Sequence, residues 1–187
     1  MTKHKHNNSA KTLGWHLRRA SEQDVDALYA LLCVPEVYHY LCDGVPPPRC
    51  QAEKLIELNS ADNAANGLGL WLLENDTHQL AGCVSLDADS RPRTGELIYL
   101  LHPEYWGQGL ATRMSWTVVE RVFRERLLDQ IIAGADGPNQ ASIAVMSRLG
   151  MKYLRAVRYP LGPGVEYVLR HDDPKSTLLP DLLLLHD

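Results

Sequence analysis

The sequence predicts an α+β domain with a mixed, mostly antiparallel central sheet of about seven strands and helices on both faces. Three strand-like runs, 69–73, 80–86 and 96–101, follow one another across short polar turns, which is typical of an antiparallel meander. A glycine-rich turn and a helical stretch then lead to a short apolar run at 131–135, which indicates a parallel strand. With 187 residues, 45% hydrophobic and 22% charged, the chain can bury one sizeable core.

The segment before the meander predicts one strand and two helices. The alternation of Trp15 and Leu17 favours a first strand. Ser21, followed three positions later by an acidic residue, predicts a helix start because this pattern forms a capping box. The apolar face of that helix consists of Val25, Leu28, Leu31 and Leu32. Three prolines make 43–48 a loop, and a second helix is expected at roughly 50–60.

The segment after the meander begins with a helix whose apolar stripe runs from Met114 to Leu127. The later elements are a buried strand at 131–135, a helix at about 140–149 that ends at Gly150, and two strands at 152–159 and 165–170 around a hairpin loop at 161–164. We expect one domain over residues 15–172, between a mobile N-terminal tail at 1–14 and a C-terminal tail at 173–187.

Composition and charge exclude several function classes. The net charge of −4 and the pI near 6.0 argue against a nucleic-acid-binding surface. No apolar run approaches the roughly 20 residues that a membrane span needs. The four cysteines form no C-x-x-C pair, and no secretory segment precedes them, so we expect a cytoplasmic protein. The sequence allows either a monomer or a homodimer.

The most informative segment is the glycine-rich turn at 105–112, which lies between an apolar run and a helix start. This order directs backbone N–H groups and the positive end of a helix dipole at one place, which suits a phosphate. A plain structural turn is one alternative. A dinucleotide site is another, because Gly107, Gly109 and Thr112 nearly fit its fingerprint and Asp136 ends the next strand. A Walker loop is excluded, because no Gly-Lys-Ser/Thr follows.

Two motifs carry a resemblance to a known family. Residues 103–112, Pro-Glu-Tyr-Trp-Gly-Gln-Gly-Leu-Ala-Thr, resemble the acetyl-CoA loop of the GNAT superfamily of N-acetyltransferases. Within that superfamily, 139–142 (Asn-Gln-Ala-Ser) followed by 149–151 (Leu-Gly-Met) resembles the second signature of the RimJ/RimL branch of ribosomal-protein N-terminal acetyltransferases. Leu17-Arg18, Asp24 and Pro35-Glu-Val37 resemble its early pattern, and the likeness spans roughly residues 15–172.

The resemblance implies a GNAT-like sheet that splays between the strand at 96–101 and the strand at 131–135, with acetyl-CoA as co-substrate. Pantetheine would pair with the end of the first of these strands, at Leu100, Leu101 and His102. The phosphates would sit on the glycine loop, formed by Gly107, Gln108, Gly109, Leu110, Ala111 and Thr112. Asn139 and Ser142 would also contact the cofactor. A backbone N–H near Leu101 would polarise the thioester carbonyl.

The same resemblance also bears on which residues are catalytic. Many GNAT members have a tyrosine acid in the helix after the asparagine motif, but Met146 stands at about that position. The branch resemblance implies Ser142 as the candidate for a hydroxyl near the leaving sulfur. The alternative is a first-turn serine that bonds its own backbone. Glu96, at the start of the central strand, is the candidate that orients the amine or a proton-accepting water, or else a plain surface carboxylate.

The implied reaction is direct transfer of an acetyl group from acetyl-CoA to a primary amine. The branch resemblance favours the α-amine of a protein or peptide N-terminus. A small amine such as an antibiotic or a polyamine is one alternative, and a non-catalytic CoA-binding module is another. We expect no metal, because the histidines show no ligand spacing such as H-E-x-x-H.

Overall fold

The computed structural model describes residues 14–59, 61–174, 176–177 and 179–186. Its strands are β1 (Trp15–Arg19), β2 (Gly69–Asn75), β3 (Leu80–Ala88), β4 (Thr94–Leu101), β5 (Gln130–Asp136), β6 (Lys152–Tyr159), β7 (Gly162–Arg170) and β8 (Leu184–His186). Its helices are α1 (Val25–Leu32), α2 (Pro35–Leu41), α3 (Arg49–Glu57), α4 (Ala61–Ala65), α5 (Leu110–Arg124) and α6 (Gln140–Arg148). A 3₁₀ turn (Glu22–Asp24) leads into α1, and another (Pro103–Tyr105) follows β4.

The strands form one mixed sheet in the order β6-β7-β5-β4-β3-β2-β1-β8. The pairs β4–β5 and β1–β8 are parallel, and the other neighbours are antiparallel. This confirms the predicted α+β class, the meander and the parallel strand after α5. The described residues contribute eight strands where the sequence predicts about seven, because the C-terminal segment adds β8 beside β1.

Alternating side chains of the sheet build two cores, one on each face. On one face, α5 and α6 cover buried residues that include Trp71, Leu97 and Ile131. On the other face, α1 and α3 cover Leu70, Leu72 and their neighbours. Because β4 lies in the middle of the sheet, its odd-numbered side chains face α5 and its even-numbered ones face the opposite side. This alternation decides on which face of the sheet the side chain of each candidate residue lies.

Two short helices are absent from the sequence prediction. In α2, only Val37 is buried, so seven residues provide no apolar stripe that a periodicity argument could detect. Five residues make up α4, too few for a helical repeat to show in the sequence. The helix α3 begins one residue before its predicted start and ends at Glu57, short of residue 60.

The C-terminal segment is anchored on the domain. The N–H of Leu183 donates to the Thr117 hydroxyl of α5 at 2.9 Å, and Leu183 itself is buried. The adjoining β8 then pairs with β1. The segment predicted as a C-terminal tail thus contributes Leu184–His186 to the sheet. The predicted N-terminal tail lies outside the described residues except for Gly14. Among the described helices, none has the length and apolar content to cross a membrane.

Candidate active site

The glycine loop adopts a backbone that only glycine takes without strain. Gly107 and Gly109 both have φ of +74°, in the left-handed region. A Cβ atom at either position would meet no atom within 4 Å, so the space above the loop is open. Gly109 is the N-cap of α5 and, having no side chain, leaves the helix without a side-chain cap. The loop can therefore be approached closely by a ligand.

The open space lies at the N-terminus of a long helix. The first N–H groups of an α-helix have no intrahelical acceptor, and the dipole concentrates positive charge there. In α5 these groups belong to Leu110, Ala111 and Thr112. The Thr112 hydroxyl is buried and has no partner among the described residues. The group of Thr112 that can face a ligand above the loop is therefore its main-chain N–H. A phosphate is the ligand that fits these donors.

The pairing between β4 and β5 stops early. It runs through three registered pairs and ends at Glu96, which lies opposite Ile132. Beyond this point β4 continues to Leu101 and β5 to Asp136 without pairing to each other. A wedge-shaped gap therefore opens in the sheet toward the glycine loop. This confirms the splay that the resemblance implies.

The strand register decides which main-chain groups face this gap. The N–H of His102 donates to the Ala81 carbonyl at 2.7 Å, so this pair is hydrogen-bonded across β3 and β4. Since hydrogen-bonded and non-hydrogen-bonded pairs alternate, the main chain of Leu100 also faces β3. Tyr99 and Leu101 direct their N–H and C=O groups to the gap instead. The expectation that Leu100 and His102 offer main-chain bonds to a ligand therefore shifts to Tyr99 and Leu101.

One of these groups is already satisfied. The indole N–H of Trp106 donates to the Leu101 carbonyl at 2.8 Å, although half of the Trp106 side chain stays exposed. The contact fixes the glycine loop to the end of β4. It leaves the N–H of Leu101 as the donor that this residue can present to the gap.

A hydroxyl pair connects the two sides of the gap. The hydroxyl of Tyr99 donates to the Ser142 carbonyl at 2.9 Å and lies 2.8 Å from the Ser142 hydroxyl. Tyr99 has one hydroxyl proton, so the Ser142 hydroxyl donates back to the Tyr99 oxygen when that proton goes to the carbonyl. Burial raises the pKa of Tyr99 to about 12, partly offset by the Ser142 contact, so the phenol is protonated at neutral pH.

The asparagine motif begins α6. The side-chain oxygen of Asn139 accepts from the Ser142 N–H at 3.1 Å, as an N-cap does. Its amide NH₂ is a separate donor. Met146 is fully buried, and its thioether has no acidic proton, so this position of the helix supplies no acid.

Glu96 lies on the face of the sheet opposite α5, at the narrow end of the gap. Its carboxyl has a raised pKa, first because the protein partly desolvates it. The carboxylates of Asp87, Asp89 and Glu166 raise this pKa further, and Arg91 opposes them. A raised pKa makes the Glu96 carboxylate a stronger base than an ordinary surface glutamate.

The acidic groups extend along the same face to the end of β5. Burial and the charges of Glu166 and Glu96 raise the pKa of Tyr159, whose ring lies over Gly134 and Gly164. At the end of β5, Asp136 is 6% exposed, and its Oδ1 is buried without a partner among the described residues. Burial and then Asp43 raise the pKa of Asp136, while His39 lowers it. We call the region between α2, the β6–β7 hairpin and this face of the sheet the acidic cleft; Arg91 pairs with Asp89 and Arg155 with Glu166 along it, whereas Glu96 and Asp136 form no ion pair among the described residues.

A separate cavity of about 430 Å³ lies away from the gap. Its lining includes Arg93 just before β4, Asp129 just before β5 and His171 just after β7. None of the predicted site residues lines it.

Comparison with known proteins gives the family. The model of the family described as "Acetyltransferase (GNAT) domain" matches residues 15–152 of this chain. The chain belongs to the GNAT acetyltransferase family. The gap and the glycine loop therefore belong to an acetyltransferase fold rather than to a dinucleotide-binding one.

Individual GNAT relatives differ in their acceptors. The Bacillus subtilis (strain 168) protein YkkB, described as uncharacterized, is 28% identical over 146 residues, which cover 76% of this chain and 84% of that protein. Ribosomal L7/L12 alpha-N-protein acetyltransferase RimL, in complex with coenzyme A, superposes with a TM-score of 0.70 at 19% identity, over 84% of this chain and 94% of that one. Spermidine N-acetyltransferase from Vibrio cholerae, in complex with CoA and spermine, has a TM-score of 0.70 at 16% identity, over 84% and 95%.

The sequence prediction missed two members of this site. Tyr99 lies inside an apolar strand, and this position in the sequence predicts a core residue. Only the contact with Ser142 shows that its hydroxyl belongs to the site. The sequence singles out Asp136 only as the residue that ends the strand after a possible dinucleotide loop, whereas the structure buries it at the end of the acidic cleft. The strand ends themselves carried a signal for Asp136, because ligands commonly bind at the carboxyl ends of strands.

Proposed function

We propose that this protein is an acetyl-CoA-dependent N-acetyltransferase that transfers the acetyl group directly to a primary amine in a ternary complex. The observation that carries the proposal is the unpaired inner edge of β4 beside the glycine loop. An extended ligand chain can pair with that edge as a strand would, while its phosphates reach the start of α5.

Each part of the donor would have its own partners. The N–H groups of residues 108–112 would hold the pyrophosphate, and Gly107 and Gly109 would let it approach. Tyr99 and Leu101 would pair with the pantetheine, and the free amide NH₂ of Asn139 would donate to one of its carbonyls. When bound, acetyl-CoA supplies the acetyl group as an activated thioester.

The remaining steps fall to this chain's own residues. The Leu101 N–H would donate to the thioester oxygen as negative charge develops there. Glu96 would orient the incoming amine or accept its proton through a water. Rotation of the Ser142 hydroxyl away from Tyr99 would let it donate a hydrogen bond to the sulfur as the carbon–sulfur bond breaks. The sulfur would leave as a thiolate and then take a proton from water, while the amine proton goes to Glu96 through a water.

The role of Ser142 predicts a clean kinetic result. Ser142→Ala should lower kcat by about a hundredfold, the scale seen when a transition-state hydrogen-bond donor is removed, with little change in KM for acetyl-CoA. Steady-state release of free thiol measures it. The matched control is Ser147→Ala, because the Ser147 hydroxyl bonds the Ile143 carbonyl on the same helix but is exposed. An unchanged kcat in Ser142→Ala would remove this residue from the chemistry.

The first candidate acceptor is the α-amine of a peptide or protein N-terminus. The amine must be neutral to attack, and an α-amine has a pKa of about 7.7–8.0, against about 10.4 for lysine. An α-amine therefore needs little help from a base. A single carboxylate such as Glu96, acting through water, is sufficient for it.

The acidic cleft favours a second candidate, a small amine with more than one positive charge. Glu96 is in register with Ile132, and Asp136 lies four residues further along β5, or about 13 Å at the usual rise per residue. Two carboxylates at that separation suit the two ends of an extended polyamine. The buried and unpartnered Oδ1 of Asp136 would then accept from the distal ammonium.

An acceptor panel separates the two candidates. Thiol release should occur with neutral peptides if the first is correct, and with spermidine-like amines if the second is correct. For a polyamine acceptor, Asp136→Asn should raise the acceptor KM at least tenfold with kcat little changed. Asp172→Asn is the control, because that carboxylate is 97% exposed and lies elsewhere. A spermidine KM that Asp136→Asn leaves unchanged would exclude the polyamine geometry.

A further inference from the structure

Three potential metal ligands converge at the far edge of the sheet, away from the gap. They are His16 of β1, Glu74 of β2 and His78 in the turn after β2. The Glu74 Oε2 atom lies 3.9 Å from His16 Nε2 and 3.5 Å from His78 Nδ1. All three ligand atoms lie within 4.8 Å of one another. Small side-chain rotations would bring them around one ion.

The fold holds these residues together by strand register and by a tight turn. His16 and Glu74 are directly opposite each other in the β1–β2 ladder. The turn that carries His78 is organised by Asn75, which is 1% exposed. The Asn75 Oδ1 accepts from the Thr77 N–H, the Thr77 hydroxyl and the Gln79 N–H. His78 is therefore presented from a fixed backbone.

The Glu74 carboxylate is the observation that most directly favours a cation at this place. Glu74 is 4% exposed, and its Oε1 accepts from Arg18 at 2.5 Å. Its Oε2, the atom that faces the two histidines, is buried and has no hydrogen-bond partner among the described residues. A buried carboxylate oxygen without a donor is unfavourable, and a cation would satisfy it.

The surroundings of Glu74 also suit a ligand. Arg18 donates to both oxygens of Asp24 at 2.8 and 2.7 Å, so the arginine charge is balanced and its position is fixed. Arg18 in turn holds the Glu74 carboxylate by one oxygen and leaves the other for the site. Metal-ligating carboxylates are commonly oriented in this way by a hydrogen bond from behind.

We propose that His16, Glu74 and His78 bind a divalent transition-metal ion of the zinc type. Two imidazole nitrogens and one carboxylate oxygen form a donor set that Zn²⁺ takes in proteins, with a fourth position open to solvent. Since the His78 side chain is 83% exposed, that fourth position faces water. The site would tie the β2–β3 turn to β1, at the edge of the sheet rather than at the gap. The proposal goes against the sequence prediction of no metal, which considered ligand spacing within short segments alone.

Zinc binding to tag-free, chelator-stripped protein tests the proposal. At a ZnCl₂ concentration about a hundredfold above Kd, the Tm should rise by about 5–10 °C for a chain of this size. Co²⁺ should give visible bands of a tetrahedral complex. His78→Ala, which removes an exposed side chain, should weaken zinc binding by more than about a hundredfold, and His16→Ala should do the same.

Matched variants keep the result interpretable. His171→Ala replaces a histidine outside the cluster and should retain the full zinc-dependent rise in Tm. His4→Ala/His6→Ala tests the histidines of the N-terminal segment and should also retain it. No rise in the wild type, or a rise that survives both His16→Ala and His78→Ala, would overturn the proposal. A rise lost only in His4→Ala/His6→Ala would assign the metal to that segment and overturn it equally.

Discussion

Gly109→Val should lower kcat/KM for acetyl-CoA by about a hundredfold, mainly through a higher KM for acetyl-CoA. A β-branched residue is strained at φ of +74°, so the N-cap of α5 would have to change its conformation. Its side chain would also enter the open space that the phosphates require. Loss of one or two charge-assisted hydrogen bonds, at about 1.5–3 kcal/mol each, accounts for this effect.

Steady-state kinetics and direct titration with CoA measure the effect of Gly109→Val. Gly162→Val is the control, since Gly162 has a φ of +137° and equally open space around a Cβ atom. It introduces backbone strain in the β6–β7 hairpin rather than in the glycine loop, and it should leave the KM for acetyl-CoA near the wild-type value. Equal weakening of CoA binding in both variants would mean that strain, rather than the loop, is responsible.

Glu96→Gln should lower kcat/KM at neutral pH by about a hundredfold, the lower end of the range for a general base. Glutamine keeps the size of the side chain and cannot accept a proton. The raised pKa of Glu96 also has a pH consequence, because the carboxyl acts only when it is ionised. Wild-type kcat/KM should fall as the pH falls through that raised pKa, in addition to the fall that protonation of the amine itself causes. Glu96→Gln should lose the Glu96 part of this dependence and keep the part due to the amine.

Asp87→Asn is the matched control for the pH profile. Asp87 lies opposite Glu96 in the β3–β4 register, and its charge helps to raise the Glu96 pKa. Removing that charge should shift the acidic limb of the profile to lower pH while activity at neutral pH persists. If Glu96→Gln retains full kcat/KM at neutral pH, Glu96 is a surface carboxylate with no part in proton transfer.

Much of this fold can be predicted from short-range patterns. The meander, the stripe of α5 and the left-handed Gly150 just after α6 all depend on local periodicity, capping and turn chemistry, and all are present. The glycine loop is equally local. The strand β8 is different, because its three residues become a strand only where β1 offers a free edge.

The parts of the site that could not be predicted depend on register and burial between distant segments. The assignment of Leu101 rather than Leu100 to the gap follows from one hydrogen bond between His102 and Ala81. The link between Tyr99 and Ser142 joins residues 43 positions apart. His16 and Glu74 meet only because β1 and β2 pair. A single sequence gives the types of residue that can form such contacts, but it does not identify which distant residues lie next to each other in the fold.

The most direct test of the central proposal is to follow an isotopically labelled acetyl group by mass spectrometry. The protein is incubated with acetyl-labelled CoA and a panel of peptides and small polyamines, and each product is fragmented. We expect the label on an acceptor nitrogen, in an amount equal to the free thiol released. Tight binding of CoA with no labelled amine from any acceptor would contradict the proposed transfer and would leave a CoA-binding module in its place.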